Sequence, residues 1–187
     1  MSKYKKILLL GAAGTLGNEI NKLLKLSNNY EVICPSSSIL NFKNLDSKKN
    51  LFQLIRKYKF DTIINCIGVF GDNTTEFSDI INPNLRSNWE IINYFLINKS
   101  NKRIKIILIG SSSYSGPRKN YMLYAASKSA LNSLYKSAKE IFINKKIDIY
   151  IKNPKPFKSK MTSFNNDKKF KNDASIIAKQ IYKIIKK

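Results

Sequence analysis

The stretch KILLLGAAGTLGNEINKLL, Lys6 to Leu24, decides how the chain is read. Its apolar opening has the length and composition of a buried strand, and the residues after the glycines read as a helix. Gly11, Gly14 and Gly17 supply the turn between them as G-x-x-G-x-x-G. The first glycine permits a tight turn, the second lets backbone approach a pyrophosphate, and the third lets helix pack on strand. The N–H groups and dipole at the start of that helix then face the phosphates. The G-K-[ST] of a P-loop is missing after the glycines, which excludes that motif.

Outward from this unit, apolar runs alternate with helical ones. Tyr30–Cys34 reads as a second strand and Ser38–Asn44 as a brief third, leading to a helix that begins at Asp46 and ends in basic residues. Asp61–Gly68 is a mostly apolar strand ending in Asn65-x-x-Gly68. Ser78–Ile97 is a long helical run interrupted by Pro83, which lacks the N–H a helix interior needs and so loosens the turn around Asn84. Arg103–Gly110 and Ile147–Lys152 are further strands, with a helix over Tyr121–Asn144 between them and a last, basic helix over Ala174–Lys187. The alternation predicts an α/β fold: a three-layer, doubly wound parallel sheet of about six strands in the order 3-2-1-4-5-6. A ligand crevice is expected at the carboxyl ends of the strands. All 187 residues make one dinucleotide-binding domain, with a short lid at about 155–173.

A second stretch, SSSYSGPRKNYMLYAASK from Ser111 to Lys128, carries candidate chemistry. Tyr124 and Lys128 stand four apart and share one helix face. A free phenol titrates near pH 10, too high to trade protons readily at neutrality, and a nearby ammonium favours the phenolate. Ser111 lies thirteen residues before Tyr124, where its hydroxyl can hydrogen-bond a substrate oxygen. Ser112 and Ser113 are its competitors, and Gly116 suits Ser113 if the loop is shortened. In the dinucleotide reading, the second strand should end at the adenosine ribose, where Asp or Glu would select NAD. Here Pro35, Ser36, Ser37 and Ser38 occupy that place, with no acidic group to repel a 2′-phosphate. The cofactor expectation is therefore NAD(P), leaning to NADP.

Composition bounds the rest. A hydrophobic share of 43% fits a globular core. The net charge of +22 attracts anions, yet only four arginines occur and the lysines are spread along the whole chain. Compositional drift explains that better than a nucleic-acid surface, and no basic stripe with interleaved aromatics is present. Cys34 and Cys66 fall in apolar runs without metal-ligand spacing and are expected to be reduced and buried, with no metal bound. No apolar run reaches the roughly 18 residues of a membrane span, so a soluble cytoplasmic protein is expected.

The ordered set of glycine triplet, N-x-x-G, Asn84, Ser111, Y-x-x-x-K and P-x-x-x-x-S-x-M resembles the short-chain dehydrogenase/reductase family over roughly Lys6 to Lys187. The resemblance implies that Gly11, Gly14, Thr15, Leu16 and Gly17 form the pyrophosphate turn. It implies that Asn65 to Gly68 support the sheet beside the adenosine, with Cys66 and Ile67 as departures. Asn84 would hold a water in a proton relay and Ser111 would bind the substrate oxygen. Tyr124 would be the general acid/base, and Lys128 would bind the nicotinamide ribose while acidifying it. Pro154 and Ser159 would flank the nicotinamide. Ser36 and Ser37 would meet the adenosine ribose. Asn41 or Asn44 replaces the acidic residue often found after the third strand, and Lys155 replaces the glycine usual after Pro154.

The activity implied is an NAD(P)-dependent oxidoreductase interconverting a ketone and a secondary alcohol. Arg118, Lys119, Lys155, Lys158 and Lys160 suggest an anionic substrate such as a sugar phosphate or nucleotide-sugar, placing it in carbohydrate metabolism. Alternatives are a nucleotide-sugar epimerase or dehydratase and a catalytically weak dinucleotide-binding regulatory protein. A homodimer or homotetramer through the long helices is also implied, with no specific nucleic-acid or membrane partner.

Overall fold

The computed structural model describes residues 4–42, 46–162, 170 and 173–187. Five parallel strands form one sheet: β1 (Lys5–Leu10), β2 (Tyr30–Ile33), β3 (Thr62–Asn65), β4 (Ile104–Ile109) and β5 (Ile147–Lys152), in the order β2-β1-β3-β4-β5. Residues of β1 alternate between the two faces, as a period of two requires. Leu8 and Leu10 join the core with Leu51 and Ile55 of α2 (Ser47–Tyr58), Ile91 and Phe95 of α4 (Ser87–Ile97) and Leu131 of α5 (Met122–Ile141). Ile7 and Leu9 face the other way, onto Leu16, Ile20 and Leu24 of α1 (Thr15–Leu26) and Ile177, Ile181 and Ile185 of α6 (Ala174–Lys186). Burial on both faces is why these strands are near-continuous runs of Leu and Ile.

The sheet has the expected order with one strand fewer. The brief strand expected from Ser38 is not formed over the described residues to Phe42. The N–H groups of Ile39 and Leu40 instead both turn back to the Ser36 carbonyl, at 3.1 and 3.0 Å. Leu40 and Phe42 still bury themselves against α2 and α4. The apolar signal there marks a packed turn, because its N–H groups are already used locally and are not offered to a ladder. Asn44 lies outside the described residues, as does most of the expected lid beyond Thr162. Cys34 is also corrected: it is exposed past the end of β2, and only Cys66 is part-buried; both thiols are free.

The Pro83 interruption is real and local. A short α3 (Phe77–Ile81) runs into a widened helical turn over Asn82–Arg86 and then into α4. The extra residue in that turn rotates Asn84 fully inward. Its Oδ1 accepts from the Val69 N–H at 2.8 Å, while its Nδ2 donates to the Val69 carbonyl at 2.9 Å and to Ser127 Oγ at 3.2 Å. One asparagine thus ties α5 and the loop after β3 to the base of α4.

Among the described residues no helix is long and apolar enough to cross a membrane, and no cluster of His, Cys, Asp or Glu is arranged to hold a metal.

Candidate active site

At the carboxyl edge of the sheet, where crossovers leave β1 in one direction and β3 in the other, a cleft of about 500 Å³ opens. Gly11, Gly14, Thr15, Leu16 and Gly17 form one wall; Gly68, Ser111, Tyr124, Lys128, Pro154 and Ser159 line the remainder. The fold thus gathers eleven of the residues singled out from sequence around one cleft.

The glycine wall is built by contact. Gly11 sits at φ +75°, and a Cβ there would fall 2.8 Å from the Cys66 carbonyl carbon. A Cβ on Gly17 would lie 2.2 Å from the Gly11 carbonyl oxygen. Gly14 precedes α1 with no side chain to cap it, and no acidic residue stands in the first turn. The first N–H groups of α1 therefore open onto the cleft without a capping side chain. An anion fits there, and the cradle is tight enough to seat a pyrophosphate against backbone. Gly17→Ala is expected to destabilise the fold by about 1–3 kcal/mol through overpacking. It should also weaken dinucleotide binding; thermal unfolding and a binding titration check the two effects.

The chemistry side is assembled from three elements. Ser111 begins the loop after β4. Its N–H donates to Asn153 Oδ1 at 3.1 Å, and its Oγ accepts from the Ser113 N–H at 3.1 Å. The Ser111 hydroxyl lies near enough to the Tyr124 phenol to favour its charged form. Ser113 lines the cleft as well, whereas Ser112 does not. Lys128 lies one turn beyond Tyr124 on α5, buried, with Nζ donating to the Ile109 carbonyl at 3.2 Å and standing 5.7 Å from the Tyr124 ring centre.

The electrostatics depart from expectation. Burial pushes the Tyr124 phenol above its ordinary value, and the Ser111 hydroxyl only partly offsets this. Burial likewise pushes Lys128 down to about 8, opposed by the nearby Cys66 thiol, itself pushed up to about 12. Acidification of the phenol by the ammonium is therefore not the net result. Desolvation dominates, and the ammonium is directed at the Ile109 carbonyl while standing over the face of the ring.

Four of the candidate catalytic and cofactor-binding residues lie off the cleft lining, and of the five basic residues expected at its mouth only Lys155 and Lys160 line it, not Arg118, Lys119 or Lys158. Ser36 and Ser37 are exposed in the turn after β2. Asn65 is buried beneath the loop after β3, donating to Ser87 Oγ and Asn88 Oδ1, both at 2.9 Å, and accepting from the Ile67 N–H at 3.0 Å. Asn84 stands behind Gly68: a Cβ on that glycine would lie 3.2 Å from Asn84 Oδ1 and 3.6 Å from Lys128 Nζ. Its side chain is committed to Val69 and Ser127. Its carbonyl accepts from Asn88 Nδ2 at 2.8 Å.

Sequence reasoning missed the residues that shape the substrate side. Phe70 and Tyr121 line the cleft, and Asn73 holds them in place, its Nδ2 donating to the Lys119 carbonyl at 2.8 Å and its Oδ1 accepting from the Met122 N–H at 2.9 Å. Nothing in a loop asparagine's local sequence announces such a clip across 49 positions. Cys66, Met161 and Phe157 also line the cleft.

A doubly wound sheet, a glycine cradle at its switch point and a Ser–Tyr–Lys group on the cleft wall beside it fit a dinucleotide-binding oxidoreductase site. The short chain dehydrogenase profile matches residues 38–169, and the chain belongs to that family. It is an oxidoreductase acting on CH–OH groups with NAD(P). Among curated proteins none matches by sequence. Solved structures share the fold. A short chain dehydrogenase family protein from Francisella tularensis is 17% identical, with TM-score 0.81, covering 96% of this chain and 90% of that one. A short chain dehydrogenase from Burkholderia cenocepacia in complex with NADP is 14% identical, with TM-score 0.80, covering 100% and 86%. The 3-alpha-hydroxysteroid dehydrogenase from Pseudomonas sp. B-0831, complexed with NADH, is 12% identical, with TM-score 0.81, covering 95% and 88%.

Proposed function

We propose that the chain reduces a ketone to a secondary alcohol, with NADP preferred over NAD, and that Tyr124 is its proton donor. The observation carrying this is the placement of Ser111, Tyr124 and Lys128 together on the cleft wall, with Lys128 one helical turn beyond the tyrosine and its Nζ 5.7 Å from the ring centre. When bound, the dinucleotide supplies the hydride chemistry. Gly11, Gly14 and Gly17 would hold its pyrophosphate, Pro154 and Ser159 its nicotinamide end, and Lys128 the adjoining ribose. Ser111 donates to the substrate oxygen, fixing it beside the phenol. Tyr124 then gives its proton to that oxygen as negative charge develops. A phenol held above its ordinary pKa by burial is fully protonated at neutral pH, which suits the donor role and hence reduction. Lys128, reached through the Asn84 carbonyl and water, restores the proton.

The leaning to NADP rests on the turn after β2, where Ser36 and Ser37 are exposed and the nearest upstream carboxylate, Glu31, pairs with Lys6 at 3.6 Å. The cleft wall carries Lys128, Lys155 and Lys160 and no carboxylate among the described residues. An anionic group on the substrate, as in a phosphorylated ketone, is the finer reading these support. Measuring reduced-dinucleotide absorbance with a ketone panel tests the proposal. Consumption that is faster with NADPH than with NADH is expected. Tight dinucleotide binding with no ketone or alcohol converted in either direction would instead favour a regulatory protein, and redox-neutral conversion of a nucleotide-sugar would favour an epimerase or dehydratase.

A further inference from the structure

The reacting phenol does not stand alone on its wall. Phe70 and Tyr121 bracket it, with ring centres 5.1 Å from Phe70 to Tyr124, 5.1 Å from Phe70 to Tyr121 and 6.1 Å from Tyr121 to Tyr124. The three rings meet tilted or edge-on, the arrangement aromatic quadrupoles favour, and all three line the cleft. The loop that presents Phe70 is fixed on both sides. Asn84 grips Val69 by both backbone groups, and Asn73 ties the same loop to the start of α5. Gly71 is packed so closely that a Cβ there would meet Ile80 at 2.5 Å. Phe157 and Met161 add apolar lining to the same cleft. Beside them Thr162 Oγ1 is already engaged, donating to the Phe157 carbonyl at 2.9 Å and accepting from the Ser159 N–H at 2.9 Å, while Lys155 and Lys160 are the charged side chains of that segment.

We infer that Phe70 and Tyr121 determine specificity, and that the substrate is a ketone or secondary alcohol whose reacting carbon adjoins an apolar ring. The inference rests on the proposed reduction at Tyr124 and names the substrate class for that same site. A carbinol carbon placed against the Tyr124 oxygen brings its neighbouring substituent onto the faces and edges of Phe70 and Tyr121. An apolar ring there loses water at no polar cost and gains ring contacts. A polyhydroxylated sugar would lose hydrogen bonds to water and find apolar carbon in exchange, the mismatch that polar selectivity punishes most. Lys155 at the rim can still take a charged group carried at the far end of such a molecule.

The experiment compares four ketones at saturating NADPH: acetophenone, cyclohexyl methyl ketone, 2-butanone and dihydroxyacetone phosphate. The two ring ketones should exceed 2-butanone in kcat/KM by about tenfold or more, the range that apolar pockets discriminate. The ratio of acetophenone to 2-butanone should fall about tenfold in Phe70→Ala and less in Phe70→Leu, which keeps apolar bulk and protects against a merely misfolded loop. Saturation-transfer NMR with the chain and oxidised dinucleotide gives a reading without turnover: magnetisation should pass to the ring protons of acetophenone, and less in Phe70→Ala. Preference for dihydroxyacetone phosphate, or equal kcat/KM for acetophenone and 2-butanone, would overturn the inference while leaving the reductase reading intact. Turnover of none of the four, with dinucleotide bound, would overturn that reading and the inference with it.

Discussion

Tyr124→Phe should lower the rate of ketone reduction by about 10²- to 10⁴-fold, the usual worth of a positioned general acid, while the chain still binds dinucleotide. The substitution removes one oxygen and leaves the ring. The contacts with Phe70, both at the ring and through the clipped loop, therefore persist. The glycine cradle belongs to a different element and is untouched. Loss of turnover with retained binding, read by steady-state kinetics and a fluorescence titration, would separate proton donation from any role of the tyrosine in holding the cofactor. The Ser111 hydroxyl keeps the Ser113 N–H in the variant, so the loop after β4 should hold its shape.

Lys128→Met should abolish useful turnover and at the same time stabilise the folded chain at neutral pH. Lys128 is fully buried, and its ammonium is pushed from 10.5 down to about 8 by desolvation. A shift of that size corresponds to about 3 kcal/mol against the charged form, at 1.36 kcal/mol per unit. Proton counting gives the sign. Between about pH 8 and 10.5 the unfolded chain binds more protons at this site than the folded one, so stability rises with pH across that window. Below it both states are protonated and the full cost is present. The variant's advantage is therefore largest at pH 7 and shrinks as pH climbs through the window. Loss of the hydrogen bond to the Ile109 carbonyl reduces the gain by roughly 1 kcal/mol. Thermal melts of both proteins at several pH values check this. A variant less stable than the parent at pH 7 would show that the ammonium is well accommodated and that burial is not its dominant influence.

A functional lysine that costs stability is also one whose purpose lies in the reaction. Its position explains why the group was readable in the sequence while its electrostatics were not. Tyr124 and Lys128 were visible through helical spacing, and Gly11, Gly14 and Gly17 through the geometry that only glycine permits. Both are local properties. How deeply a residue is buried is decided by distant elements: Lys128 is enclosed by the end of β4 and the loop after β3, and neither can be inferred from Tyr121–Asn144 alone.

The same distinction separates the other successes from the misses. The strand order came from alternating apolar runs and the handedness of crossovers. The extra strand is expected over Ser38–Asn44, where Leu40 and Phe42 are indeed buried. What periodicity could not reveal was that the Ser36 carbonyl would take the N–H groups of both Ile39 and Leu40. Asn84 was legible as inward-facing because Pro83 must disturb its helix, but its partners on Val69 and Ser127 come from elsewhere in the chain. Phe70, Tyr121 and Asn73 carried no motif and became meaningful only when the loop after β3 met the start of α5.

Deuterium labelling reads the hydride transfer itself. Reduction of a ketone by the chain, with NADPH carrying deuterium at the transferable position, should yield an alcohol with a single deuterium on the carbinol carbon and the new hydroxyl proton drawn from solvent. Recovery of unlabelled alcohol, or of label in water, would contradict hydride transfer in this cleft and the role given to Tyr124.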